Sequence, residues 1–414
     1  MNFISVLTKI LWLFSFVFVL YAAYYLITSV FAFIKKSVPY GEAGRKHRFA
    51  AIIAARNEAE VIGNLVQSLK EQDYPSELFE IIVIPNNCTD NTGEVAQKAG
   101  ATILDCTEKV KSKGQVLAFA FDYIFKKKDH FDAFCIFDAD NLVGPNFLKA
   151  MNDALCAGAR VAQGYKDSKN PRDSVIASCH SIYYYCVNGL YNRARSILGL
   201  SAIITGTGFM VSADTIRQLG GWNTKTMTED LEFTALCTLK GITVHWVQNA
   251  IVYDEQPITL KQSWDQRMRW STGIQQCFRT YAGPLALNTV SRKSMASADL
   301  ILLFLTPYMQ ILSFASLMLT IALTISNISY SLFPQKDIFF ELFMSMEGSY
   351  LMSVIIAVIA VMMERKGIRK MLGGILTSWF FIASWLPINI VCLFKKTTSW
   401  KKIEHTRKLS LSDI

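Results

Sequence analysis

Four long apolar runs, Ile10 to Ile34, Leu300 to Ile325, Tyr350 to Met363 and Met371 to Phe394, bracket a central stretch whose hydrophobic positions are spaced quite differently. From Phe49 to about Glu255, short β-like runs alternate with helical ones. Phe49 to Ala55, Glu80 to Ile84, Ala101 to Leu104 and Ala133 to Phe137 read as strands bounded by polar turns. Between them Glu58 to Gln72, Asp90 to Ala99 and Gly114 to Phe125 carry helical spacing, and Asn57 with Glu60 predicts a capping box at the first. Repeated strand-helix-strand units predict an α/β domain with a mostly parallel sheet, its ligands at the carboxyl ends of the strands.

At ~1.5 Å per residue, about twenty residues cross the hydrocarbon, so the first, second and fourth runs are long enough and the third is marginal. The first run is too long for a cleaved leader, is rich in aromatic residues and lacks a small-residue cleavage site before Lys35-Lys36. It reads as a retained anchor. With basic flanks inside, this anchor enters from outside and leaves the central domain in the cytoplasm. Leu300 to Ile325 then exits, Asp337, Glu341 and Glu347 fit an outside loop, and Tyr350 to Met363 returns to Arg365-Lys366. Met371 to Phe394 has basic residues at both ends, which one crossing does not satisfy. Trp385-Leu386-Pro387 predicts a break there, and a bent or re-entrant segment is the preferred reading over a straight helix with an exported tail. The expected organisation is an anchor over 1–36, a catalytic domain over 49–255, interfacial helices over 256–297, a membrane region over 298–394 and a basic tail over 395–414.

The hydrophobic fraction of 51% and mean hydropathy of +0.26 agree with a multi-pass membrane protein. Nine cysteines without a CxxC suit a reduced compartment. The net charge of +9 sits mainly beside the apolar runs, so it points to anionic lipid and not to nucleic acid. No GxGxxG or GxxxxGK[ST] follows a predicted strand, which counts against a dehydrogenase or a P-loop enzyme.

Three motifs carry candidate chemistry. Asp138-Ala139-Asp140 at a strand end offers oxygens to a hard divalent ion, although alone it is also an ordinary polar turn. Thr228-Glu229-Asp230 opens a helix, where Thr228 is a natural N-cap. Glu229 and Asp230 are either first-turn carboxylates or candidate general bases. Gln266 to Trp270 lies on a predicted amphipathic helix from Leu260 to about Tyr281. Arg269 there suits phosphate oxygens and Trp270 a sugar face, or both simply suit a headgroup region. Lys113 adds a charge against a diphosphate, and taken alone reads as a solvated lysine.

In this order, these motifs resemble the membrane-embedded family-2 glycosyltransferases of GT-A fold, in particular the processive polysaccharide synthases. The resemblance runs from about Phe49 to Gly273 and implies a Rossmann-like nucleotide-diphospho-sugar transferase domain set between transmembrane helices. It implies that Asp138 and Asp140 serve nucleotide and metal, with Mg²⁺ or Mn²⁺ as the ion, and that Asp230 beside Glu229 is the catalytic base. Gln266, Arg269 and Trp270 would hold the diphosphate and line the acceptor site. Gly206-Thr207-Gly208 looks like the acceptor-side turn, and Trp222 belongs to the loop before the Thr228-Glu229-Asp230 helix, also on the acceptor side. Ala55, Arg56 and Glu58 would flank the base and ribose. Many members carry paired aspartates after the second strand, whereas this chain reads Pro85-Asn86-Asn87, so Asn86 would meet the base through its amide.

The expectation is an inverting, metal-dependent enzyme that extends a polysaccharide from a nucleotide sugar, with UDP-sugar preferred, at the cytoplasmic face of the cell membrane. One rival is single transfer to a membrane lipid, as ceramide glucosyltransferases perform. Another is a binding or scaffold protein that has lost turnover. One amino-terminal anchor and about three further apolar segments are fewer than larger synthases use, which leaves a homo-oligomer or an export partner open.

Overall fold

The run Phe49–Ala55 has no polar residue to turn towards water, and the computed structural model buries both of its faces. The model describes residues 3–34, 40–127, 130–325, 338–395 and 408–414. Helix α1 (Phe3–Val30) precedes β1 (Phe49–Ala55), α2 (Ile62–Lys70), β2 (Phe79–Pro85), α3 (Thr92–Ala99), β3 (Thr102–Ile103), α4 (Lys113–Lys127) and β4 (Ala133–Asp138). Next come β5 (Leu142–Val143), α5 (Phe147–Cys156), β6 (Val161–Ser168), α6 (Val175–Cys186), α7 (Ala194–Ile197), β7 (Phe209–Ser212), α8 (Ala213–Gln218), α9 (Glu229–Leu239) and β8 (Val244–Asp254). After the sheet follow α10 (Leu260–Ser291), α11 (Met295–Ile325), α12 (Ile338–Met363), α13 (Leu372–Ala383) and α14 (Trp385–Phe394).

The strands form one eight-stranded sheet in the order β3-β2-β1-β4-β7-β6-β8-β5. Alternation along β1 sends Ala51, Ile53 and Ala55 into one core with α2 and α5, and Ala50 and Ile52 into another with α4 and α9. The sheet is parallel from β3 through β4 and again between β6 and β8. β7 runs antiparallel to both β4 and β6, and β5 antiparallel to β8, so the expected mostly parallel sheet is mixed in its second half. Because β6 lies across β7 from β4 and is parallel to β8, the strands β1, β2, β4, β6 and β8 still point the same way. Their carboxyl ends therefore share one edge.

The predicted capping box does not form. Asn57 adopts a left-handed conformation (φ 56°) and its Oδ1 accepts from the Thr89 backbone N–H at 2.7 Å, tying the turn after β1 to the turn after β2. The helix consequently starts at Ile62. Helix α10 continues to Ser291, beyond the expected end near Tyr281, and contains Pro284. Helix α12 begins at Ile338, so Glu341 and Glu347, expected in an outside loop, fall within a helix whose membrane-length part is Met346–Met363. The basic flanks at Lys35-Lys36, Lys396, Lys401 and Lys402, the acidic loop residue Asp337 and the tail 400–407 lie outside the described residues.

Four helical segments among the described residues are long and apolar enough to cross a membrane: Ser5–Phe33, Met295–Ala322, Met346–Met363 and Ile368–Phe394. Polar clamps tie three of them to the central domain. Asp299 of α11 pairs with the fully buried Arg195 at 3.0 Å and accepts from the Tyr24 hydroxyl of α1 at 2.6 Å. Glu364 and Lys366, after α12, meet the Tyr165 hydroxyl and Asp167 of β6, each at 2.6 Å. The fourth segment is broken at Ser384, where α13 ends and α14 begins.

Removing one partner of a buried ion pair strands the other charge. Asp299→Ala is expected to destabilise the protein by about 3–5 kcal/mol, and Asp299→Leu with Arg195→Met by much less. Thermal unfolding in detergent checks both.

Candidate active site

The turn after β4 is held from behind. The Asp138 backbone N–H donates to Thr207 Oγ1 at 3.0 Å and to Asn141 Oδ1 at 3.1 Å, the Thr207 hydroxyl bonds Asn141 Oδ1, and Asn141 Nδ2 donates to Asp254 Oδ1 at 2.9 Å. Carboxylate oxygens of Asp138, Asp140 and Asp254 all lie within 4.8 Å of one another. Asp254 escaped the sequence reading. Its signal was there in principle, a carboxylate closing a long apolar-alternating run, but only the sheet order brings the end of β8 beside that of β4.

Three carboxylates this close repel, and two lysines offset them. Lys113 Nζ lies 2.5 Å from Asp138 Oδ1 and 2.6 Å from the Gly206 carbonyl, while Lys166 Nζ lies 2.7 Å from Asp254 Oδ2. Burial alone would push the Asp138 carboxyl up, but Lys113 outweighs it and holds that carboxyl below its usual value. Burial likewise opposes the Lys113 charge, and Asp138 and Glu229 more than restore it. For Asp254 burial wins over Lys166 and the carboxyl is raised. Three carboxylates around one point are the donor set a hard divalent ion takes, so these residues fit Mg²⁺ or Mn²⁺.

Glu229 opens α9 at the cavity wall. Thr228 stands at the N-cap, but its side chain makes no capping bond, contrary to expectation; it is packed under α10, where a Cβ on Gly273 would lie 2.7 Å from the Thr228 backbone nitrogen. That close approach is what Gly273 permits. Buried Glu232, which no motif singled out, accepts the backbone N–H groups of Lys225 at 2.7 Å and Thr226 at 2.6 Å, and the Tyr281 hydroxyl at 2.7 Å. It fixes the preceding loop against α10. Burial, then the neighbouring Asp230, pushes the Glu229 carboxyl up to about 7. Burial also raises Asp230, against the Leu231 N–H and Arg269.

One cavity of about 390 Å³ is lined by Arg56, Glu58, Asn86, Lys113, Asp138, Asp140, Gly206, Glu229, Asp230, Gln266, Arg269 and Trp270. Lys166, Tyr183, Tyr184, Asp254 and Trp385 line it too, and none of these was anticipated. Lys113 is therefore a half-buried partner of Asp138 and not a fully solvated lysine. Four predicted residues stay outside. Ala55 faces the opposite core, its place on the cavity side being taken by Ala54, though its carbonyl accepts both the backbone and side-chain N–H of Asn86 at 2.9 Å. Trp222 is a core residue, 2% exposed, with its ring stacked 4.2 Å from Phe233. Thr207 is buried behind the Asp138 turn, and Gly208 (φ 63°) passes too close to the Val252 side chain to carry one of its own.

Residues 47–273 match the model of a family described as glycosyltransferase-like family 2. The β-monoglucosyldiacylglycerol synthase of Synechocystis sp. is 24% identical over 247 residues, which cover 59% of this chain and 50% of that protein. The poly-β-1,6-N-acetyl-D-glucosamine synthase of Staphylococcus epidermidis is 22% identical over 262 residues, 60% of this chain and 62% of that one. The chain thus spans about half to three fifths of these relatives' lengths. A mannosyltransferase from Pyrobaculum calidifontis, solved with GDP-mannose and Mn²⁺, shares the fold. It is 17% identical, with a TM-score of 0.59, over 91% of this chain and 99% of that one.

A carboxyl raised on folding binds its proton more tightly in the native state. The stability Glu229 contributes is therefore complete below about pH 4.5 and is lost as pH rises through about 7. Glu229→Gln is expected to flatten the fall in unfolding free energy between pH 5 and 8, to which Glu229 contributes at most about 1.4 kcal/mol per pH unit. Parallel melts of the two proteins across that range check it.

Proposed function

Because this chain belongs to the glycosyltransferase-like family 2, we propose that it moves sugar from a nucleotide sugar, a UDP-sugar foremost, onto a growing polysaccharide with inversion at the anomeric carbon. The observation that carries this reading is the meeting of Asp230, Arg269 and Trp270 with the Asp138, Asp140 and Asp254 trio around one cavity. Arg56 and Glu58 flank the nucleoside, with Ala55 contributing through its carbonyl. The Asn86 amide is committed to that carbonyl, so its oxygen is the group left for a base N–H. Lys113, Gln266 and Arg269 take diphosphate oxygens. Asp138 and Asp140, joined by Asp254, would hold Mg²⁺ or Mn²⁺. Such an ion supplies positive charge against the departing diphosphate.

Asp230 accepts the proton of the acceptor hydroxyl, and the freed oxygen attacks the sugar's anomeric carbon opposite the nucleoside diphosphate. One C–O bond forms as the other breaks, and the diphosphate leaves with the bonding pair. Glu229, sharing its charge environment with Asp230, sets the pH at which the pair is ready. Gly206 and Trp270 border the acceptor, while Thr207, Gly208 and Trp222 act from behind through the turns they hold. In this reading 1–36 is an anchor, 49–255 the catalytic domain on the cytoplasmic side, 256–297 interfacial, and 298–394 the membrane region.

A second reading, single transfer to a membrane lipid, draws on the apolar Val187, Ile203, Leu231 and Ile274 in the same cavity wall. The two named relatives divide along the same line, one a poly-N-acetylglucosamine synthase and the other a glucosyldiacylglycerol synthase. Sizing the product made by purified protein from single UDP-sugars separates them, a polymer supporting the first and one glycolipid the second.

Asp230→Asn is expected to lower kcat by about 10²–10⁴ while UDP affinity stays within about twofold. Near-normal turnover in that variant removes Asp230 from the role of base. In the native enzyme kcat should rise with pH and level off above about 7, as the Glu229 carboxyl beside Asp230 loses its proton. EDTA should stop transfer and Mn²⁺ restore it; full activity after chelation excludes the metal.

A further inference from the structure

The break at Ser384 puts Trp385, the first residue of α14, into the cavity beside Trp270. Its ring centroid lies 6.0 Å from those of both Trp270 and Tyr183, at interplanar angles of 26° and 34°, and Tyr183 lies 6.1 Å from Trp270 at 22°. Three rings from α6, α10 and α14 thus meet with nearly parallel planes. Trp385 is only 8% exposed, and its indole N–H has no protein partner. Two other polar atoms of this cavity, Gln266 Oε1 and Thr205 Oγ1, are also buried without partners. Three nearly parallel rings in a cavity that also holds buried polar atoms without partners match a saccharide, whose C–H face stacks on aromatic planes and whose hydroxyls both donate and accept. An acyl chain carries no polar group for any of these atoms and gains nothing from parallel ring planes.

Arg267 explains how a membrane segment keeps this ring in place. It is fully buried between Gln266 and Met268 on α10, and its Nη1 donates to the Phe381 carbonyl at 3.1 Å and to Ser384 Oγ at 2.7 Å. The guanidinium stands 4.5 Å over the Phe381 ring and 5.6 Å over that of Trp385. These acceptors belong to the chain where α13 gives way to α14, and among the described residues no carboxylate forms a salt bridge with Arg267. The charge is spent on the helix break itself.

We infer that Trp385 binds the acceptor, its indole completing with Trp270 and Tyr183 the platform for the acceptor's terminal sugar, and that Arg267 is the positioning residue that holds it there. The inference rests on the glycosyl-transfer reading and narrows its acceptor to a saccharide. The test uses the full chain in lipid nanodiscs with Mn²⁺ and UDP-N-acetylglucosamine, following UDP release with chitotetraose and, separately, with water alone. Trp385→Ala should raise the KM for chitotetraose about tenfold, and Trp385→Phe, which keeps a ring but loses the N–H, about threefold. The donor KM should change several-fold less than the acceptor KM. Arg267→Met should move the acceptor KM in the same direction, and combining it with Trp385→Ala should add nothing further, as expected of two residues acting through one ring. An unchanged acceptor KM, equal losses for donor and acceptor, additive effects, or transfer to diacylglycerol in place of chitotetraose overturns it. Absence of UDP release by the native protein both with chitotetraose and with water alone would reject the underlying UDP-sugar transfer reading instead, which is separate from any effect at Trp385.

Discussion

Three carboxylates held within 4.8 Å of one another are the condition around which this molecule is arranged. Like charges in a partly buried site are costly unless cations and donors are brought to them, and each compensating group comes from a different part of the chain. Lys113 arrives at the start of α4, Lys166 from β6, and Asn141 and Thr207 brace the turn from below. The common direction of five strands makes that meeting possible. Reversing any of them would carry its terminal residue to the far edge of the sheet.

The apolar helices contribute to the cavity as well as anchoring it. α1 and α11 are pinned through Arg195 and Asp299, the end of α12 through Tyr165 and Asp167, and the α13–α14 break through Arg267. The second clamp acts on β6, the strand that carries Lys166 to Asp254, and so ties the end of α12 to the strand next to the carboxylates. Helix α10 joins both parts. One stretch of it gives Gln266, Arg269 and Trp270 to the cavity, Arg267 to the α13–α14 segment and Gly273 to the loop carrying Thr228.

Much of the central domain was readable because its strands are apolar runs closed by polar turns. Phe49 to Ala55 and Ala133 to Phe137 fall within a residue of the observed strands, as do the neighbouring helix from Gly114 and the start of α10 at Leu260. The misreadings share a cause. Asn57 with Glu60 had the letters of a capping box, but Asn57 bonds a turn thirty-two residues away. Thr228 had the letters of a cap but is occupied in packing, and Trp222, beside a glycine pair, looked like a site residue while its ring fills the core. Local spacing says what a residue is able to do, and the nearest partner in space decides which of those things it does.

The sequence by itself determined that an α/β domain lies between membrane-length apolar runs, and that carboxylates, an arginine and a tryptophan stand where strands end and helices begin. These are consequences of local periodicity and side-chain chemistry, which act over a few residues. Only the tertiary structure decided that Asp254 joins Asp138 and Asp140, that Lys113 and Lys166 offset them, and that Trp385 from a broken apolar segment shares a wall with Trp270. Each of these pairs residues far apart in the chain, and its existence depends on the order and direction of strands and on a helix break, neither of which a linear pattern encodes.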